Sequence, residues 1–136
     1  MILLNTILVF LLLVLFFVRH ESLPAAYLWG MRLGLVVVLF GSGWGQMMVS
    51  NSAHAVGAPD GGLGLPILNW STTAGDLRIA HLLGLHGLQI IPLAGYFLAR
   101  RAAYPVLMLA GFTAIYAAAM FHTLFWALQG VPLLKL

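Results

Sequence analysis

The chain contains no cysteine. Disulfides and thiolate metal sites are therefore excluded. Acids are almost as scarce: Glu21, Asp60 and Asp76 are the only three among 136 residues. Three isolated carboxylates offer no acid–base pair for hydrolysis, and neither a nucleophile–base pair nor a phosphate loop accompanies them. The chain is therefore not expected to be an enzyme by itself. Charge of either sign is thin, at 7% of residues. Soluble domains carry about 25%. The net charge of +3 would point to nucleic acid only if the bases clustered. They do not, so no nucleic-acid partner is expected.

What is present is apolar. Hydrophobic residues make up 62% of the chain and mean hydropathy is +1.05. Residues 1–136 read as one integral membrane domain whose first partner is the lipid bilayer. Four apolar runs are candidate spans, at about 2–18, 27–49, 76–99 and 104–129. The first is a little short. It lacks the basic start and the small-residue cleavage site of a signal peptide, so it is expected to stay as a span. Asp76 is a plausible N-cap for the third run. Pro105 suits the first turn of the fourth, which Gly130 and Pro132 end. No strand pattern competes. The expected fold is an all-α, four-helix transmembrane bundle.

Arg19 and Arg32 flank the first connection, and Arg100 and Arg101 form the third. Both connections then face the cytoplasm by the positive-inside rule, which outweighs Arg78 and Lys135. Both termini and the long connection near 50–75 face outward. His20, on the cytoplasmic side, reads as an interfacial residue. In the outward connection, Pro59-Asp60-Gly61-Gly62 is a turn signal. Leu63, Leu65, Ile67, Leu68 and Trp70 are too apolar for a solvated linker. This loop is expected to be partly ordered, packing residues 63–70 over the helix ends with Trp70 at headgroup depth.

The block His54, Gly57, Gly61-Gly62, Asn69-Trp70-Ser71, Gly75-Asp76-Leu77-Arg78, Ala80-His81 and Gly84-Leu85-His86 resembles small uncharacterised four-span bacterial integral membrane proteins. The resemblance covers the second and third spans and the loop between them. It implies the fold and a bacterial inner membrane, and carries no site roles.

The third span is the most polar. Ionisable groups inside a bilayer are costly and are expected to face the protein interior. On a helical wheel with His86 at zero, Gln89 falls near 300°, Arg78 near 280° and His81 near 220°. Gly84, Gly87 and Gly95 occupy the other side, between about 100° and 180°. The second span has its own small-residue stripe: Gly30, Gly34, Gly41, Gly45 and Ser52. It suits close helix packing, or alternatively room for a flat cofactor. Four of the five histidines collect in the outer half of the membrane.

Three readings follow. In the first, His86 and His122 lie at equal depth on facing helices and ligate a b-type haem, with Arg78 near its propionates and Gln89 beside it. An arginine in a first helical turn opposes the macrodipole, and a buried anion would explain it. The chain would then be an electron-transfer protein or subunit. In the second, His54, His81 and His122 converge with Met47 or Met48 on copper or zinc near the outer face. In the third, no cofactor is bound. The histidines and Gln89 are hydrogen-bonding groups of an accessory subunit, joined to other membrane subunits or to a homo-oligomer. A transport role has only Pro92 in its favour, and Pro92 is better read as a kink.

Overall fold

Four helices follow the four apolar runs. The computed structural model describes residues 2–19 and 22–135, so the expectation for His20 lies outside the described residues. The helices are α1 (Ile2–Val18), α2 (Ala25–Asn51), α3 (Leu77–Arg101) and α4 (Pro105–Leu128). The last three are long and apolar enough to cross a membrane. With 17 residues, α1 measures roughly 26 Å and is the shortest. Most of its side chains are exposed, and it packs chiefly on α2. Arg32 fastens the two by donating from Nε and a terminal nitrogen to the Phe16 carbonyl, at 3.0 and 2.8 Å. The same guanidinium stacks on Phe17 and Trp29.

The helix ends obey local chemistry. Asp76 caps α3 by accepting from the backbone N–H of Arg78 at 3.0 Å. Arg100 and Arg101 fill the last turn of α3, where cations complement the dipole. Pro105 opens α4, and Gly130 follows its end with a φ of +72°.

The α2–α3 contact is the centre of the bundle. A Cβ added to Gly41 would lie 2.7 Å from the Cα of Gly84, so two backbones meet there. At Gly30 the same atom would lie 2.9 Å from the Cα of Pro92. A Cβ on Gly34 would lie 3.0 Å from the Gly87 carbonyl oxygen. The small-residue stripe is thus a packing surface. Gly45 differs: its space is filled by the His81 ring, not by backbone. On the other flank of α3, α4 adds Leu109 and Met120 to a core with Val37, Trp44, Ala80 and Ile91. Tyr116 donates to the Leu83 carbonyl at 2.6 Å. Phe121 bridges α4 to α2 by edge contacts with Phe40 and Trp44.

The long connection contains strands too short for any sequence period to reveal. β1 (Ala55–Val56) pairs antiparallel with β2 (Gly75–Asp76). A hairpin rises between them, closed by a Gly64–Ser71 bridge and by Leu65 N–H on the Trp70 carbonyl at 2.8 Å. Its base packs on the bundle. Thr72, Ala74, Gly75 and Asp76 are buried, and Gly75 sits directly against the Ala127 carbonyl. Its tip does not pack as the sequence suggested. Leu63 is 75% exposed and Ile67 102%.

Candidate functional site

The C-terminal end of α2 and the N-terminal end of α3 border an open cup of about 400 Å3. Met48, Ser52 and His54 line it from the end of α2, Arg78 and His81 from the start of α3, and Asp60 from the loop. From the sequence block that carried the resemblance, His54, Arg78 and His81 meet at this cup.

Asp76 is its anchor. Its side chain is wholly buried. It accepts from Ser71 N–H at 2.9 Å, from Arg78 N–H, and from Nε and a terminal nitrogen of Arg78 at 2.9 and 2.6 Å. Burial alone would raise the Asp76 pKa. The Arg78 guanidinium and the two backbone donors outweigh it and hold the carboxyl below its usual range. Arg78 also donates to the Asn69 carbonyl. The anion that an arginine at this position calls for is thus a carboxylate two residues away, and Arg78 is spent on it.

Asp60 organises the loop. It accepts from Ala55 N–H at 2.8 Å and from His54 N–H at 3.1 Å. These bonds, Ala55 first, hold its carboxyl below the usual range. The His54 imidazole lies between the two acids: Nε2 is 3.5 Å from Asp60, and Nδ1 is 3.9 Å from Asp76. That Nδ1 is buried with no hydrogen bond among the described residues.

His81 is the most deliberately placed side chain. Its Nδ1 lies 2.7 Å from the Gly41 carbonyl. A carbonyl only accepts, so Nδ1 carries a proton, and in the neutral ring Nε2 then holds the lone pair. Nε2 makes no hydrogen bond among the described residues. Gly45 clears the ring's seat: a Cβ there would come within 2.7 Å of Cε1. A backbone carbonyl fixing the tautomer of an imidazole is the usual outer-sphere support of a metal-bound histidine.

The other expected ligands stand elsewhere. His86 is exposed, about 200° around α3 from Gly84 and so turned away from α2. Gln89 is exposed on the same side. His122 is exposed on α4, about 200° from buried Met120, and its ring rests on Trp126 at 4.5 Å. His54 and His81 share the cup, and His122 is not among its lining residues. Of the two methionines, Met48 lines the cup. Among the described residues no three of His, Cys, Asp and Glu come together as a ligand set. Sequence reasoning missed Asp60, whose Pro-Asp-Gly-Gly setting reads as a turn and nothing more.

No family model, curated protein or solved structure matches the chain. Its function has to be read from the cup itself.

Proposed function

We propose that this chain is a non-catalytic membrane protein or subunit that holds one copper(I) ion in its outer cup. The observation that carries this is the Nδ1 contact of His81 with the Gly41 carbonyl, with Nε2 unbonded among the described residues and His81 and Met48 lining the same cavity. Imidazole nitrogen and thioether sulfur together suit copper(I) better than a hard ion. A zinc site would want three or four strong ligands, and among the described residues His, Cys, Asp and Glu do not assemble them. Electrostatics favour a cation. Asp60 and Asp76 are both ionised at neutral pH, and Arg78 offsets only one of them. His54, between the two acids at the rim, is the candidate third ligand.

The same balance argues against an anionic group such as a haem propionate, because the guanidinium it would need is already paired with Asp76. The arginines at the opposite end support a reading in which the cup faces outward from a bacterial inner membrane, with both termini on that side.

Competition for copper(I) against a chromophoric chelator tests the proposal in purified protein. Wild type should retain one copper per chain. His81→Ala and Met48→Leu should each lose at least about tenfold in affinity, a change of 1.4 kcal/mol. Equal retention by wild type and His81→Ala would sink the proposal. So would a Soret band in haem-supplied wild type that His86→Ala and His122→Ala abolish.

A further inference from the structure

The face of α3 turned away from α2 carries Leu82, His86, Gln89 and Leu93. Their spacing of four, three and four keeps them within about 60° of one another. That is the stripe along which two helices pack at a shallow angle. All four are exposed; Leu82 is 36% and Leu93 55% accessible. His86 lies about 14 Å along α3 from Leu77, near the middle of a hydrocarbon core about 30 Å thick. Lipid offers no hydrogen bond at that depth. Gln89 meets part of its need internally. With its amide nitrogen turned toward the preceding turn, it donates to the Leu85 and His86 carbonyls, each at 3.2 Å. The His86 ring makes no hydrogen bond among the described residues.

We infer that this stripe is covered by the same stripe of a second copy of the chain. Copies inserted in one orientation pair about a two-fold axis along the membrane normal. A residue near that axis meets its own counterpart at the same depth. A lysine or aspartate there would face its own charge. Neutral histidine and glutamine each carry both a donor and an acceptor, so two copies satisfy one another without a third partner. Leu82 and Leu93 close the contact above and below. A stripe meant for lipid would have no use for His86 or Gln89. The pairing is independent of the copper cup, which opens at the outer end of the helix.

Cross-linking in vesicles tests this on the full chain, and the lack of native cysteine makes single-cysteine variants clean. Leu93→Cys and Leu82→Cys should yield a species of twice the chain mass with a short bis-maleimide. Ile115→Cys on α4, 73% exposed, should yield little. In mild detergent, the double variant His86→Leu, Gln89→Leu should weaken the dimer roughly tenfold, while His81→Ala leaves it intact. Equal cross-linking at positions 93 and 115 would overturn the inference. A dimer unchanged in the double variant, or a Leu93→Cys product of another mass that reveals a different subunit, would do the same.

Discussion

At the scale of single residues, the cup is a set of small accommodations around His81 and Asp76. Gly45 has no conformational duty inside α2; it is there because the His81 ring occupies the space of its Cβ. Gly45→Ala should therefore displace the ring and cost copper affinity about as much as His81→Ala, while the protein still elutes as a folded species. Asp76 makes a different prediction. Its pKa is lowered in the fold, so the stability it contributes is present above the unfolded carboxylate value. It is lost as pH falls through the folded value. Thermal unfolding in detergent should be level from pH 7 to about 5 and fall below about 4. Asp76→Asn should be less stable at neutral pH and show a shallower acid decline; an unaltered acid limb would contradict this. Ile67 is a third case. A β-branched residue at φ +72° with its side chain in the open is a poor fit, since left-handed backbone costs about 1–2 kcal/mol. Ile67→Gly should raise the melting temperature by a few degrees. A fall would mean that the side chain has an occupant the chain itself does not supply.

At the scale of elements, the helices were legible in the sequence because apolar length and end chemistry decide them. The α3 boundary came from Asp76, the α4 boundary from Pro105, and Gly30, Gly34 and Gly41 of the α2 stripe meet the backbone of α3. Gly41→Leu should accordingly abolish accumulation of folded protein, with Leu39→Ala nearly neutral; comparable membrane yields of the two would contradict the backbone contact. The site was less legible. The polar arc of α3 was visible on the wheel, but its direction was not. Glycine at Gly84 and Gly87 lets α2 approach so closely that the glycine face wins the interior, and His86 and Gln89 are turned outward. The clash of Arg78 with the helix dipole pointed to a haem propionate, whereas in the structure a carboxylate of the chain itself pairs with the guanidinium. Its partner, Asp76, had been read only as a cap. The hairpin was expected to be ordered, and its order comes from Asp60, Thr72 and the Gly64–Ser71 bridge, not from apolar packing of its tip.

At the scale of the whole molecule, charge sits at two ends with different tasks. Arg100 and Arg101 lie at one end of the bundle, Asp60, Asp76 and Arg78 at the other. The proposed topology follows. In intact cells, Leu63→Cys should react with an impermeant maleimide from outside and Ser22→Cys should not; the reverse pattern would place the cup in the cytoplasm. The central claim is that the cup holds copper(I) through His81 and Met48. X-ray absorption at the copper edge of the loaded, full-length protein tests it most directly. The account predicts a spectrum of reduced copper with imidazole nitrogen and one thioether sulfur in the first shell, the sulfur disappearing in Met48→Leu. A first shell of oxygen and nitrogen alone, identical in wild type, Met48→Leu and His81→Ala, would contradict it.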